Sequence, residues 1–431
     1  MAMVLFFAII VLICLYTVRH YCFTLSRLFG RQRQPYIAID TADWPPLTVL
    51  IAAHNEQAVI ADILNALLHV DYPQDRLLII PVNDRSTDGT ERIIDDFVGR
   101  YPGRIVPFHR RSGKPGKAAA LNDAMAMVST EIVLIFDADY IPGKGLIRQL
   151  VAPFFDPEIG SVMGRVVPLN VGKNLLTRML DLERSAGYQV DQQARMNLKL
   201  VPQYGGTVAG IRTSALEDIG GWNIDTLTED TDLTYRLLLR GWKTAYQNRA
   251  ECYEESPERW PVRIRQLMRW AKGHNQAMMS YSAALFRSGG LSFLERLDGL
   301  LLLWVYAMAP VLLLAWILAI MLFFSGAYVE GSTLVLCAAA FTVLGNFAAF
   351  FEIAAAARLD GSRFRIRLLP FTFLGFVVSL TTVSRAAYEQ VRDAVMGADM
   401  VWDKTERARH PVPEPVPQPV VQAAASSGEA A

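Results

Sequence analysis

Apolar residues are concentrated in four long runs, one at the start of the chain and three in its last third. They occupy residues 3–18, 300–324, 334–357 and 368–383. A helix that crosses a bilayer needs about 20 apolar residues; the second and third runs reach this length, and the other two come close to it. The pattern predicts an N-terminal transmembrane anchor within residues 1–30. It also predicts an interfacial segment at 282–296 and two to three transmembrane helices, all within 281–392.

Basic residues flank these runs unevenly. Arg19, His20 and Arg27 follow the first run, and no charged segment precedes it, which favours a retained anchor over a cleaved signal peptide. The loop at 358–367 is rich in arginine, whereas the loop at 325–333 has no Lys or Arg. Cytoplasmic loops are enriched in Lys and Arg. We therefore expect a multi-pass protein of the inner membrane in which the segment between the first and second runs is a cytoplasmic domain.

The last part of the chain does not fit four complete crossings. Four spans would place the tail outside, yet Arg385, Arg392 and Lys404 follow the fourth run. Either that run does not cross fully or the charge rule fails here. From residue 410 the sequence is dominated by Pro, Ala, Ser and Gly, which predicts a disordered tail at 410–431.

Between the first two runs, short apolar segments alternate with helical patterns. The predicted strands lie at 47–53, 77–82, 132–136 and 164–170, and the predicted helices at 58–68, 91–98, 118–128, 175–197, 233–240 and 262–279. Strand, loop and helix repeated in this order are typical of a doubly wound α/β sheet. Residues 45–280 are therefore expected to form a mostly parallel, Rossmann-like domain.

Two acids follow the apolar strand at 132–136 directly. Asp137 and Asp139 are two positions apart, so on an extended segment they point to the same side. They would project past the carboxyl end of the strand, the edge at which open α/β sheets bind ligands. Paired carboxylates suit Mg²⁺ or Mn²⁺, which in turn hold phosphate oxygens. The alternative is a loop with two solvated acids, and Asp-x-Asp alone favours that alternative.

Polar residues also end the first two predicted strands. Glu56 and Asp84 follow them, and Asp84 could accept hydrogen bonds from a base or ribose or could serve as a turn or N-cap residue. Residues 110–117 form a basic, Gly-rich loop that ends in Lys117 and opens a helix. Such a helix N-terminus can bind phosphate, although the spacing is not that of a Walker A loop and an ordinary basic surface loop is the alternative.

Acids cluster again at the start of a later helix. Glu229, Asp230 and Asp232 follow Thr228. Capping and the helix dipole favour acids in a first turn and account for Asp232 and in part for Glu229. They do not require all three residues, which leaves Asp230 as a candidate for chemistry.

The predicted helix at 262–279 carries a possible binding face. Gln266, Arg269 and Trp270 are spaced i, i+3 and i+4 and share one side of the helix. They could hold a phosphate and stack on a sugar ring. The same residues would also suit a basic amphipathic helix at a membrane surface, with Trp270 as its anchor.

Composition argues against several kinds of partner and structural site. The formal net charge is zero, which gives no general affinity for polyanions, and we expect no nucleic-acid partner. The four cysteines show no paired spacing, so neither a disulfide framework nor a zinc site is predicted. Glu352, within the third apolar run, is a functional candidate by its position, but snorkelling towards Arg358 would explain it equally well.

Taken in order, these motifs resemble a known family. Asp84, Asp137-Ala138-Asp139, Thr228-Glu229-Asp230 and Gln266-Leu-Met-Arg269-Trp270 are similar to the D, DxD, TED and QxxRW signature of membrane-integrated family-two glycosyltransferases. Cellulose, chitin, hyaluronan and poly-N-acetylglucosamine synthases belong to that group. The resemblance covers residues 47–280, and the flanking apolar runs agree with the group's architecture. It implies a cytoplasmic GT-A domain flanked by transmembrane helices.

The resemblance also implies a UDP-sugar donor and assigns residues to it. Asp84 and Asp137 would contact the uridine, and Asp139 would ligate Mg²⁺ or Mn²⁺ on the diphosphate. Lys117 is a further donor-site candidate. The segment Asn83-Asp84-Arg85 departs from the Asp-Asp-Gly of the best-known members.

The remaining motif residues would act on the leaving group and the acceptor. By the resemblance, Asp230 would be the general base, and its neighbour Glu229 would be a substrate-binding residue. Gln266 and Arg269 would hold the pyrophosphate, and Trp270 would stack on the terminal sugar of the acceptor.

The leading expectation is an inverting hexosyltransferase that adds sugars to a growing β-linked polysaccharide at the inner membrane. The transmembrane set is small, so export of a polymer would call for accessory subunits. The alternative is a non-processive enzyme that glycosylates a lipid. A catalytically idle membrane subunit is disfavoured, because Asp139, Asp230 and the QxxRW segment are retained. The sequence does not distinguish glucose from N-acetylglucosamine.

Overall fold

The computed structural model describes residues 2–34, 42–326 and 346–396. The predicted tail at 410–431, the loop at 327–333 and the first part of the third apolar run lie outside the described residues. The description begins with one long helix, continues with an α/β domain over residues 47–287, and ends with helices that pack back against that domain.

The centre of the α/β domain is an eight-stranded sheet in the order β3-β2-β1-β4-β7-β6-β8-β5. Strand β1 lies between β2 and β4 and pairs in parallel with both, whereas β7 is antiparallel to β4 and β6. The sheet is therefore mixed, and its first half confirms the doubly wound arrangement. The strands are β1 Leu47–Ala53, β2 Leu77–Asp84, β3 Phe108–Arg110, β4 Ile132–Asp137, β5 Ile141–Pro142, β6 Ile159–Pro168, β7 Ala209–Arg212 and β8 Lys243–Glu254.

Helices cover both faces of the sheet and extend beyond it. Those of the α/β domain are α2 Ile60–Leu68, α3 Thr90–Arg100, α4 Lys117–Ala124, α5 Leu146–Val151, α6 Leu175–Ser185, α7 Gln193–Leu198, α8 Thr213–Asp218, α9 Glu229–Leu239 and α10 Trp260–Arg287. The others are α1 Ala2–Phe29, α11 Phe293–Leu303, α12 Met308–Phe324, α13 Asn346–Leu359 and α14 Leu369–Met396.

Alternate residues of the central strands feed two separate cores. Val49 and Ile51 of β1 pack with Ile63 of α2 on one face, whereas Leu50 packs with Val133 and other residues on the opposite face. All of these side chains are fully buried. Because successive strand residues point to opposite faces, a strand covered on both sides is apolar throughout, which is why β1 and β4 could be read directly from the sequence.

Several observed elements differ from the expected ones. Strands β3, β5, β7 and β8 and the short helices α5 and α8 were not predicted; β8 carries Lys, Gln, Asn, Arg and Glu along its 12 residues and gives no continuous apolar run. The expected helix at 175–197 contains a π-helical segment, Ala186–Gln192, between α6 and α7. Asp84 is the last residue of β2 rather than part of the loop after it.

The apolar runs also fold differently from the simplest expectation. By length and composition, two of the described helices could cross a membrane, Ala2–Phe29 and the 33-residue stretch Phe364–Met396. The second run is divided between Phe293–Leu303 and Met308–Leu322, which are bent by 77° and would make a third span if they cross together. The segment predicted as interfacial, 282–296, is shared by the end of α10 and the start of α11.

Helix α1 connects the apolar helices to the α/β domain. Its first half packs Ile9 and Ile13 against Leu301 and Ala315, and its second half packs Phe23 against Val190 of the π-helical segment. Near the domain, the buried side chain of Glu352 meets His20 of α1. The carboxylate of Glu352 therefore has an ionisable partner on another helix.

A buried ion network lies where these parts meet. Arg19 of α1 contacts Asp191 at 2.8 Å and Asp298 at 3.1 Å, and Arg195 contacts the other oxygen of Asp298 at 2.7 Å. The side chains of Arg195 and Asp298 are 1% and 6% exposed. Removing charges from water is costly unless each is paired, so this network requires α1, α11 and the π-helical segment to keep their relative positions.

Helix α14 is attached to the α/β domain near both ends. Just before it, Arg365 contacts Asp181 of α6 at 3.0 Å. Near its end, Glu389 contacts Lys272 of α10 at 2.8 Å, and Gln390 accepts a hydrogen bond from Asn275 at 2.8 Å.

The middle of α14 follows the same surface. Val383 and Ala386 pack on Ala271 of α10, and a Cβ added to Gly375 would lie 3.0 Å from Cε of Met179 in α6. A helix of this length extends about 42 Å, and contacts with one domain continue along it. These contacts favour the alternative in which the fourth run does not cross fully, whereas the length and composition of the helix alone would allow a crossing.

We expect both ends of α14 to lie on the same side of the membrane, because the same domain holds them. Phe364→Cys and Met396→Cys place a thiol at positions that are each 74% exposed, in a background with the native cysteines replaced by serine. A membrane-impermeant maleimide should label both in inverted vesicles and neither in intact cells. Val4→Cys, at a position 73% exposed at the far end of α1, provides a sidedness control. Labelling of the two α14 positions from opposite sides would contradict this arrangement.

Candidate active site

A cavity of about 2010 Å³ lies at the carboxyl edge of the parallel strands. It is bounded by the ends of β1, β2 and β4, by the starts of α4 and α9, and by α10 and α14. All nine residues that the sequence predicted as functional line it: Asp84, Lys117, Asp137, Asp139, Glu229, Asp230, Gln266, Arg269 and Trp270. The fold thus brings together motifs that are more than 180 positions apart in the chain.

Asp84 is held rigidly at the end of β2. Its carboxylate accepts hydrogen bonds from Arg85 at 2.9 Å, Arg110 at 3.0 Å and the backbone N–H of Gly116 at 3.1 Å. Burial alone would raise the pKa of Asp84, but these hydrogen bonds lower it below its ordinary value. The carboxylate is therefore ionised, and it also fixes the basic loop before α4.

Asp137 is the last residue of β4, Asp139 follows two positions later, and both line the same cavity at the carboxyl edge as predicted. Asp139 is 4% exposed, and the backbone N–H of Asp137 donates to Oγ1 of Thr207 at 3.1 Å. A recessed carboxylate beside a second one provides the hard oxygen ligands that Mg²⁺ and Mn²⁺ prefer. The donor set at Asp139 thus fits a divalent cation that would share its remaining positions with phosphate oxygens.

A second acidic group lies elsewhere on the domain. Glu91, Asp95 and His109 have potential ligand atoms within 4.8 Å of one another. Arg111 already contacts Glu91 at 2.5 Å, and none of the three residues lines the cavity. Of these acidic residues, Asp139 is therefore the candidate metal ligand that lies in the cavity.

Lys117 lies between the two acidic motifs. Its Nζ is 2.7 Å from Asp137 and 3.6 Å from Glu229, and it donates to the carbonyl of Gly206 at 2.7 Å. Burial would lower the pKa of Lys117, but the two carboxylates raise it above its ordinary value. The ammonium therefore stays charged and connects the start of α4 to the start of α9.

Asp230 occupies the first turn of α9 and faces the cavity. Burial, together with the neighbouring charge of Glu229, raises its pKa to about 6, although the N–H of Thr231, 2.7 Å away, opposes the shift. The backbone of Gly206 passes close by: it has φ +72°, and an added Cβ would lie 3.0 Å from Cβ of Asp230. A carboxylate with this pKa can accept a proton near neutral pH.

Helix α10 contributes the opposite wall. Gln266 accepts a hydrogen bond from Arg263 at 2.8 Å. The guanidinium groups of Arg184 and Arg263 lie 5.4 and 5.2 Å from the centre of the Trp270 ring, within the range of a cation–π interaction. The Trp270 ring thus lies beside two arginines, and Arg269 adds a third guanidinium group to the same cavity wall.

Sequence reasoning missed several residues that shape this wall. Arg184 contacts Glu254 at 2.7 Å, and Glu254 accepts a hydrogen bond from the hydroxyl of Tyr140 at 2.5 Å. Tyr140 follows Asp139 directly in the sequence. The contacts from Tyr140 through Glu254 to Arg184 therefore link the candidate metal ligand Asp139 to the ring of Trp270. Each of these residues belongs to a different element, and only the tertiary fold places them together.

The far end of the cavity is apolar. Its lining there comes from the bend between α11 and α12 and from the middle of α14. The residues are Leu302, Val305, Tyr306, Met308, Ala309, Leu312, Phe376, Ser379, Leu380 and Val383. A single space therefore joins a set of carboxylates and guanidinium groups to a surface formed by helices of the apolar runs.

Comparison with known families assigns the class of protein. The family described as Glycosyltransferase like family 2 matches residues 45–273, more than half of the chain, and the chain belongs to this family. A cellulose synthase family matches residues 212–353. The GT-A-like mixed sheet and the acidic edge agree with this assignment.

Individual relatives share the domain rather than the full length. The chain is 34% identical over 272 residues to the probable glycosyltransferase YdaM of Bacillus subtilis (strain 168), covering 62% of this chain and 63% of that protein. It is also 34% identical over 241 residues to the beta-monoglucosyldiacylglycerol synthase of Synechocystis sp. (strain ATCC 27184 / PCC 6803 / Kazusa), covering 56% and 50%. The matched part of the chain thus covers 63% and 50% of the length of these two relatives.

A solved structure has the same fold. The mannosyltransferase PcManGT from Pyrobaculum calidifontis, in complex with GDP-Man and Mn²⁺, superposes with a TM-score of 0.58 at 23% identity. The match covers 83% of this chain and 96% of that one. At this identity the comparison supports the fold class alone.

Gly206→Ala should reduce sugar transfer by about 10- to 100-fold, because the new Cβ displaces Asp230, the residue predicted to be the general base, and small misplacements of such a group are costly. The initial rate of transfer from a labelled nucleotide-sugar measures the effect. Gly220→Ala is the matched control: its φ is +77°, but nothing lies within 4 Å of the added Cβ. Equal losses in the two variants would mean that backbone strain, rather than contact with Asp230, causes the effect.

Proposed function

We propose that this family-two glycosyltransferase transfers a hexose from a UDP-sugar to an acceptor hydroxyl at the membrane surface, with inversion at the anomeric carbon. The observation that carries the proposal is the position of Asp230. This carboxylate, whose pKa is about 6, shares a cavity with the Asp137 and Asp139 pair and with Arg269.

The donor would bind along the edge of the sheet. We assign the uridine to Asp84 and Asp137, and the diphosphate to Gln266 and Arg269. Asp139 would hold Mg²⁺ or Mn²⁺, which stabilises negative charge on the departing diphosphate. The guanidinium of Arg269, on α10, would stabilise the same negative charge. A UDP donor follows from the resemblance; the solved relative named above was crystallised with a GDP-sugar.

The reaction needs one proton acceptor. Asp230 would take the proton from the acceptor hydroxyl while that oxygen forms a bond to the anomeric carbon and the bond to the diphosphate oxygen breaks. Attack from the side opposite the leaving group converts an α-linked donor into a β-linked product. Burial serves this role, because it keeps the pKa of Asp230 high enough for the carboxylate to bind a proton.

Of the two acceptors that the sequence left open, the cavity favours a lipid. Its far end is lined by apolar side chains such as Val305, Leu312 and Leu380, and hydrocarbon chains gain about 25 cal/mol per Å² when they leave water. A growing polysaccharide would expose hydroxyl groups to these side chains. The match to a cellulose synthase family and the Trp270 platform are the observations in favour of a glycan.

The proposed location follows from the same features. The α/β domain would lie on the cytoplasmic face of the inner membrane, anchored by α1, whose end towards the domain is basic. Other apolar helices would make the protein multi-pass. With a lipid as acceptor, the product stays in the bilayer, and no export subunit is needed.

The test is a transfer assay in mixed micelles with Mg²⁺ or Mn²⁺, labelled UDP-glucose or UDP-N-acetylglucosamine, and 1,2-dioleoylglycerol as acceptor. We expect label in the lipid extract with one donor, and its loss in Asp230→Asn. Long labelled products would instead identify a polysaccharide synthase. Labelled GDP-mannose is offered in a parallel reaction, and transfer of label from it alone would overturn the UDP assignment. Asp218→Asn, on α8 outside the cavity, is the matched control.

The pH profile should show an acidic limb near pH 6. Asp230 acts as a base only when ionised, and its pKa is raised to about 6, so kcat/KM should fall about tenfold per pH unit below that value. Glu229→Gln removes a charge that helps to raise this pKa and should move the limb to lower pH. A limb that stays near pH 6 in Glu229→Gln would argue against Asp230 as the titrating group.

Val305→Asp should raise the KM for dioleoylglycerol at least tenfold, because a carboxylate in the apolar end opposes acyl chains. The KM for the UDP-sugar should stay unchanged. Val305 is 43% exposed, and Leu198→Asp provides a control at a position of equal exposure outside the cavity. An unchanged KM for the lipid would remove this region from the acceptor site.

A further inference from the structure

Two residues at the junction of the polar and apolar parts of the cavity have no role in the transfer described above. His274 follows Trp270 by four positions and therefore projects from the same side of α10. Tyr306 lies in the break between α11 and α12. Both line the cavity, and their ring centres are 4.8 Å apart.

His274 is connected to the proposed base through one side chain. Its Nδ1 is 3.4 Å from the hydroxyl of Thr231, whose own N–H donates to Asp230 at 2.7 Å. Gln203 donates to the same hydroxyl at 3.2 Å. Gln203 uses an oxygen lone pair, so the one Thr231 hydrogen can go to Nδ1 of His274 or to Oδ1 of Asp230, which is also 3.4 Å away. We assign it to Nδ1, because that Asp230 oxygen already accepts the N–H of Thr231.

This assignment sets the tautomer of His274. If Nδ1 accepts, the proton of a neutral imidazole is on Nε2. Burial lowers the pKa of His274 to about 4, so the ring is neutral at physiological pH and does not compete with Asp230 for the proton. Nε2–H is then a donor at the cavity wall, close to the base.

Tyr306 provides the complementary group. It lies in the bend of 77° between α11 and α12, and it packs with Ala271 and Val383 at the junction of α10 and α14. Its neighbours Val305 and Met308 line the apolar end. A phenol at this position can hydrogen-bond a polar headgroup while its ring contacts hydrocarbon.

We propose that His274 and Tyr306 are positioning residues for the acceptor headgroup. Nε2–H of His274 would donate to an oxygen of the headgroup, and the Tyr306 hydroxyl would hold a second oxygen. The attacking hydroxyl would then face Asp230, with the acyl chains along the apolar end. This inference rests on the proposed function with a lipid acceptor, and it adds the residues that select and orient the headgroup.

The test compares KM values for two substrates. The probe acceptor is 1,2-dioctanoylglycerol in micelles, with the UDP-sugar that the wild type uses. His274→Leu and Tyr306→Phe should each raise the acceptor KM about tenfold, the effect of losing one hydrogen bond of about 1.4 kcal/mol. The KM for the UDP-sugar and the affinity for UDP should stay unchanged.

His274→Gln is the diagnostic variant. A glutamine amide can place an N–H near the position of Nε2, so it should restore most of the acceptor affinity that His274→Leu loses. His69→Leu on an exposed helix end and Tyr101→Phe, packed on Phe97, are matched controls that should keep wild-type values. UDP binding by each variant confirms that its donor site is folded.

The outcomes separate this inference from the proposed function. Wild-type acceptor KM values in both His274→Leu and Tyr306→Phe would overturn the inference while leaving lipid transfer intact. A parallel rise in the donor KM would mean a structural role and would also overturn it. A wild-type enzyme that transfers sugar only to glycan would overturn the lipid acceptor itself, and the headgroup assignment would fall with it.

Discussion

The buried ion network around Asp298 is the constraint on which the arrangement of the molecule depends. Asp298 receives Arg19 from the N-terminal helix and Arg195 from the α/β domain, and Arg19 also contacts Asp191. A buried charge that loses its partner is strongly destabilising. Arg19, Arg195 and Asp298 come from three different helices, so each of these side chains requires the helices of the other two to be in place. The network therefore fixes the apolar helices against the domain, and the cavity shared by the two parts depends on that fixed position.

The parts of the site that could be predicted from the sequence are those encoded locally. A strand buried on both faces is an apolar run, and the residues after it lie at the carboxyl edge of the sheet. Asp137 and Asp139 were therefore placed correctly, as was Asp84 apart from its assignment to a loop. Lys117, Asp230 and the residues of α10 also line the cavity, because each begins or occupies a helix whose start the sequence marks clearly. Their individual roles remain predictions.

The parts that could not be predicted depend on contacts between distant segments. Strand β8 mixes polar and apolar residues without alternation or a continuous apolar run, and its place beside β6 comes from the sheet rather than from its own pattern. The fourth apolar run is long enough to cross a membrane, yet ion pairs at Asp181 and Lys272 hold it along the domain. Hydropathy measures the composition of a segment, whereas these ion pairs link it to residues more than 100 positions away.

The position of α14 determines how the proposed lipid acceptor would reach the cavity. Phe376, Leu380 and Val383 of this helix line the cavity, while Phe373 and Leu374 on the same helix are 58% and 50% exposed. A lipid acceptor of the kind proposed would pass between such surfaces and arrive by lateral diffusion within one leaflet. Its supply is then set by its mole fraction among the surrounding lipids, so diluting it with inert lipid slows the reaction even when its bulk concentration is constant.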